Sequence, residues 1–173
     1  MGVSSAPVVD EEVDEHVALA GGVDEYVHAL PQFKLDIVRT GQGAGPSKVW
    51  LAGEGNATLG AVTVEFPMLG HFQIPRDEVA VISVTSAPES ARWAGVDLEP
   101  GMVMLYGPGM HHTGISPVGF EFTYATFRAP PFEERVRGGM DIPGVGTASV
   151  FSSRTLGKSL AAEMEGLVAS SSH

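Results

Sequence analysis

The sequence predicts a mainly β domain, a sandwich or small barrel, with a helical segment on its N-terminal side and a helix at its C-terminal end. Three observations carry this. Between Phe33 and Phe127 the chain breaks into short runs in which apolar and polar residues alternate, the period of a strand. Gly- and Pro-rich clusters separate these runs at close spacing, as in sandwiches and small barrels. On both flanks the apolar residues instead recur at helical spacing.

The elements follow in order. From Asp10 to Leu30 the spacing is helical. Val13, Val17 and Ala20 share one face, as do Val23, Val27 and Leu30, with Gly21-Gly22 breaking the run. Asp24 and Glu25 fall in the first turn of the second piece, where acids favour the helix dipole, and Pro31 ends it. Strands are expected at Phe33–Ile37, Lys48–Ala52, Leu59–Phe66, Gly70–Ile74, Val79–Thr85, Met102–Tyr106 and Phe120–Phe127. Ala129 to Ser152 is rich in Pro and Gly. It reads as a segment skirting the barrel, with a helical turn at Phe132–Arg137 and an edge piece near Val150-Phe151. Residues 154–169 form the last helix, with Leu156, Leu160, Met164, Leu167 and Val168 as its apolar stripe.

Composition narrows the function classes. At 173 residues the chain is one domain long, and 43% hydrophobic residues suffice for a core that needs no staples. There is no cysteine, which removes disulfides, thiolate metal sites and a Cys nucleophile. The net charge of −11 argues against DNA or RNA binding by this chain, because phosphate neutralisation needs clustered Lys and Arg. Seven of the acids precede the first base, Lys34, so the charge is concentrated in the leader and the rest of the chain is mildly acidic. The start of the chain has no secretory pattern and no apolar run reaches the ~18 residues of a membrane span, which makes the cytoplasm the expected compartment.

Motifs exclude more than they assign. The segment Gly41-Gln-Gly-Ala-Gly-Pro-Ser-Lys48 lacks the spacing of a phosphate loop and reads as a turn. No nucleophile elbow, Ser-x-x-Lys or His-Glu-x-x-His is present. His111-His112 is the one suggestive histidine pair. Neighbours on a strand point to opposite faces, so at most one can enter a pocket, and a metal needs three or four convergent ligands. His71, Glu65 and Glu121 are the available helpers, without ligand spacing. No metal or other cofactor is expected. Met102, Met104 and Tyr106 share a strand face, as do Phe120, Phe122 and Tyr124. These side chains either fill a core or line a small-molecule cavity at a barrel mouth.

Residues Arg92-Trp-Ala-Gly-Val-Asp-Leu-Glu-Pro-Gly-Met-Val-Met-Leu-Tyr-Gly-Pro-Gly109, followed by Gly119-Phe-Glu-Phe122, resemble the N-terminal sensor half of AraC/XylS-type transcription regulators. The lead-in from Val23 to Val38 is similar as well, and the order of pieces agrees over roughly residues 23–168. The resemblance implies a cupin-like β-barrel (a double-stranded β-helix) that binds a small effector or mediates dimer contacts. It implies DNA contact only through a C-terminal domain that these 173 residues do not include. Against the wider cupin second motif, Gly101, Gly109 and His112 match, while Gly107 stands for Pro and Ser116 for Asn; the first motif is absent.

The expected organisation is an acidic leader at 1–22, a sensor barrel at 23–153 and a C-terminal dimerisation or linker helix at 154–173. The expected pocket is Trp50, Phe72, Met104, Tyr106, His112 and Tyr124, with Trp93 beside a turn. The expected dimer contacts are Leu156, Leu160, Met164 and Leu167. The stripe also suits a cap on the chain's own barrel, since periodicity alone does not say what a helix face touches. The rival classes are a metal-dependent cupin enzyme, an isomerase or dioxygenase, and a pure dimerisation module.

Overall fold

The computed structural model describes residues 14–54, 57–128 and 149–151. Expectations for the leader before Asp14, for the helical turn at Phe132–Arg137 and for the helix at 154–169 lie outside these residues. So do the proposed dimer contacts Leu156, Leu160, Met164 and Leu167.

The chain is mainly β, built from two antiparallel sheets. Strands β1 (Asp14–Ala20), β3 (Ser47–Glu54), β4 (Ala57–Val64), β6 (Glu78–Ser86), β9 (Val103–Tyr106), β11 (Phe120–Arg128) and β12 (Ser149–Phe151) form one sheet. Its order is β1-β3-β4-β11-β6-β9-β12. Strands β2 (Lys34–Arg39), β5 (Met68–Gln73), β7 (Arg92–Trp93), β8 (Val96–Asp97) and β10 (His111–Ser116) form the other, in the order β2-β5-β10-β7-β8. From β4 to β11 the chain passes back and forth between the sheets. Helix α1 (Val23–His28) sits between β1 and β2 and buries Tyr26 edge-on against Phe66, ring centroids 5.8 Å apart.

Alternation explains most of these strands. In β10 exposed and buried residues strictly alternate, and in β4 Gly60, Val62 and Val64 face inward. Two glycines inside strands are required by what lies opposite. A Cβ on Gly60 would overlap the Tyr124 ring, and one on Gly114 would overlap the Trp93 indole. The turn between β7 and β8 takes positive φ at both Ala94 and Gly95, the geometry of a tight two-residue hairpin.

Two expectations are corrected. Residues 14–20 are a strand, not the helix that their spacing suggested. Seven consecutive residues pair with β3, from Asp14 opposite Gly53 to Ala20 opposite Ser47, and that ladder overrides a sequence of helix formers. Strand β10 was absent from the expected set because His-His-Thr-Gly-Ile-Ser lacks the β-branched and aromatic runs that mark a strand. The edge piece at Val150-Phe151 is present as β12, and α1 falls where the second helical piece was expected.

The core lies between the sheets and is largely aromatic. Phe72, Trp93 and His112 from the five-stranded sheet meet Tyr106, Phe120 and Phe122 from the seven-stranded one. Among the described residues no helix is long and apolar enough to cross a membrane.

Candidate functional site

Five of the six expected pocket residues converge, and they do so as packed core. The His112 ring is sandwiched between Phe72, at 5.0 Å, and Tyr106, at 4.8 Å, both stacked on it. Trp93 closes a third side at 5.0 Å, and its indole N–H donates to Ser116 Oγ at 3.0 Å. The Tyr106 hydroxyl reaches Met104 Sδ at 3.4 Å. Tyr124 packs over Gly60 and edge-on against Phe33 at 4.9 Å, and its hydroxyl accepts a hydrogen bond from the Gln32 amide.

Trp50 is not part of this group. It pairs with Val17 and Ala61 on neighbouring strands, and its indole N–H donates to Glu15 at 2.7 Å. It is half-buried on the opposite face of the seven-stranded sheet. Trp93, by contrast, sits at the centre of the aromatic cluster, fully buried.

The electrostatics of the cluster follow from burial. His112 is 6% exposed and its Nε2 has no hydrogen-bond partner among the described residues. Desolvation, with smaller contributions from His71 and His111, lowers its pKa to about 4, so the imidazole is neutral at neutral pH. Burial also pushes the phenols of Tyr26, Tyr106 and Tyr124 well above their usual range. None of these groups is charged near pH 7. Among the described residues no three His, Asp or Glu side chains are grouped to hold a metal ion. His71 and His111, 5.3 Å apart, lie on the outer, solvent side of the five-stranded sheet.

Open space adjoins this cluster at one end of the two sheets. A groove of about 480 Å³ runs between Pro31-Gln-Phe-Lys34, which leads into β2, and Gln73-Ile-Pro-Arg76, which leaves β5. The two stretches are held together by the β2–β5 ladder, which places Lys34 opposite Gln73. The Met110 carbonyl accepts from the Ile74 N–H, and the Pro75 carbonyl accepts from the Gly109 N–H, tying the groove wall to the Gly107–Met110 loop. Lys34 and Arg76 are exposed and make no ion pair with a described residue. Asp77 and Glu78 follow Arg76 but do not line the groove. The groove therefore presents two cations with no ion-pair partner among the described residues, two amides and apolar lining from Phe33, Ile74 and two prolines. Sequence reasoning missed it, because its residues come from two loops and carry no motif. The one sequence signal is that Lys34 is the first base after seven acids.

No family model matches the sequence, and no curated protein matches it at a significant level. A search of solved structures finds the crystal structure of the AraC-like transcriptional activator CuxR, at a TM-score of 0.56 and 12% identity. The match covers 89% of this chain and 60% of that one, so the chain spans less than two thirds of the activator's length. Over most of its length, this chain has the fold found in an AraC-like transcriptional activator.

Proposed function

We propose that the chain is the sensor module of a transcription regulator and that a small anionic effector binds in the groove at the end of its barrel. The alternation of strands between two sheets supports reading the barrel as a cupin-like double-stranded β-helix. The fold shared with an AraC-like activator, and the resemblance at Arg92–Gly109, support the regulator part of the reading. DNA is then read by a separate domain outside these 173 residues, in keeping with the chain's net charge of −11. The cytoplasm is the corresponding compartment.

The observation that carries the effector site is the pair of exposed cations, Lys34 and Arg76, which have no ion-pair partner among the described residues and share the groove with apolar side chains. A guanidinium and an ammonium flanking two amides suit a carboxylate or phosphate attached to a small apolar body. The barrel interior is the weaker place for an effector, because Phe72, Tyr106 and His112 stack on one another there and would have to be displaced. Gln32 and Phe33 line the groove and touch Tyr124 directly, so occupancy has a route into the core. An effector acts by preferring one arrangement of this contact over another.

Thermal unfolding with a panel of small carboxylates and phosphates tests this. A ligand at one hundred times its Kd stabilises the native state by about 2.7 kcal/mol, a visible shift in Tm. The shift should vanish in the double variant Lys34→Ala/Arg76→Ala. If no anion stabilises the chain, or if the shift survives the double substitution, the groove is not the effector site.

The dimer part of the expectation rests on the stripe Leu156, Leu160, Met164 and Leu167.

A further inference from the structure

The outer face of the five-stranded sheet departs from an ordinary solvent face in two ways. Directly paired residues on neighbouring strands share a face. Val38, Leu69 and Ile115 form one outward row across β2, β5 and β10, and Arg92 of β7 continues it beyond Ile115. An outward row on an antiparallel sheet is ordinarily polar. These three side chains are large, apolar and 62%, 43% and 46% exposed. Beside them stand two imidazoles. His71 lies two residues along β5 from Leu69, and His111 is its diagonal neighbour on β10. Both are exposed, with ring centroids 5.3 Å apart. Two imidazoles on one tetrahedral zinc, through bonds of about 2.0–2.1 Å, hold their ring centres about 5 Å apart. The pair already stands at that separation, and imidazole suits zinc, copper and nickel. Among the described residues no third His, Asp or Glu joins it, whereas a structural zinc takes four ligands. One copy therefore carries half a ligand set.

We propose that His71 and His111 are half of a zinc site that a second copy of this chain completes. A two-fold axis running along the strands between β5 and β10 lays the two sheets face to face. It sets β5 of one copy over β10 of the other, so the four imidazoles gather about one point. The same operation lays Leu69 over the partner's Ile115, and apolar row meets apolar row. It also carries β2 over the partner's β7, because these strands flank β5 and β10 on either side. Asp36, paired with His71 and in no ion pair with a described residue, then lies near the partner's Arg92, an exposed cation. A single isologous arrangement thus answers ligand number, apolar contact and charge together. Three apolar side chains per copy are a small share of the roughly 1,600 Å² of a standard interface, so the metal decides whether the copies associate. Neither imidazole lines the groove, and the inference does not depend on the effector reading.

Sedimentation velocity of the full chain tests this, first freed of metal with EDTA and dialysed, then with half an equivalent of Zn2+ per chain. Zinc should at least double the mass, and EDTA should reverse the change. His71→Ala and His111→Ala should each abolish the response. Both positions are exposed, and circular dichroism checks that the variants keep their sheets. Ile115→Glu keeps both imidazoles but puts a charge into the apolar row, so it should weaken the zinc-driven association several-fold. His16→Ala, on the other sheet, should respond as the wild type does. A mass increase that survives His71→Ala/His111→Ala would overturn the proposal, and so would one that Ile115→Glu leaves untouched. An unchanged mass would overturn it as well, whether or not calorimetry records zinc binding, because no second copy would then complete the site.

Discussion

Replacing His112 with Phe should flatten the acid limb of the protein's stability profile. The folded chain holds this imidazole between Phe72 and Tyr106, with Nε2 unpartnered, and its pKa falls from 6.5 to about 4. The native state therefore excludes a proton that the unfolded chain accepts. Above pH 6.5 neither state is protonated and the full stability is present. As the pH falls from 6.5 towards 4, the unfolded chain binds the proton first and stability is lost. Linkage over that interval gives a loss of about 2.5 kcal/mol at pH 4.5, a substantial share of the roughly 5–15 kcal/mol of a typical domain. His71 and His111 lie on the other side of the same sheet and repel the charged form, which adds to the effect. Phe keeps a flat ring in the same slot and cannot titrate. Urea unfolding of both proteins at half-unit steps from pH 4.5 to 7.5 measures the difference. The wild type should lose about 2.5 kcal/mol more than His112→Phe over that range. Parallel profiles would mean that His112 is solvated or hydrogen-bonded in the native state, and the account of the core would fail.

Other outcomes follow from the same packing. Gly114→Ala forces a methyl into the Trp93 indole and should cost about 1–3 kcal/mol in chemical denaturation; a neutral result would mean that the two strands slide apart freely. The same substitution at the two tryptophans should separate core from surface. Trp93→Phe leaves Ser116 Oγ without its donor in a buried cluster and should cost about 2–4 kcal/mol, whereas Trp50→Phe loses an exposed bond to Glu15 and should cost less than about 1 kcal/mol. Equal losses would contradict the burial of Trp93 in the core and the outward placement of Trp50. Lys34→Ala/Arg76→Ala should abolish anion-dependent stabilisation while leaving the unliganded Tm nearly unchanged, since both side chains are exposed and make no ion pair with a described residue.

The strands that sequence revealed are those whose own residues carry the signal. In β4 alternation is strong because one face must meet the core, and a one-residue slip would expose it; β6 and β11 are marked instead by their β-branched and aromatic residues. In β1, Val17 and Ala20 keep the helical spacing begun at Val13 and do not alternate, and only the ladder to β3 makes residues 14–20 a strand. Strand β10 hid behind polar residues whose inward members are a histidine, a glycine and a serine. His112 could be singled out from its neighbourhood, but its surroundings could not. Nothing local says that the stack comes from Phe72 and Tyr106, which lie forty and six residues before it.

By itself the sequence determined the β class, the turn positions, the absence of thiol chemistry and the segregation of acids ahead of Lys34, because these depend on composition and on contacts between near neighbours. Tertiary structure alone decided that five expected pocket residues fill the core, that Trp50 faces the other way and that the open groove lies between two loops. It also decided that Ser83 and Thr123, paired across β6 and β11, are buried. Each of these turns on which face of which sheet a strand presents to its partners. That is fixed by pairing between segments distant in the chain, where the alternation within one strand names two faces but not which one is inside.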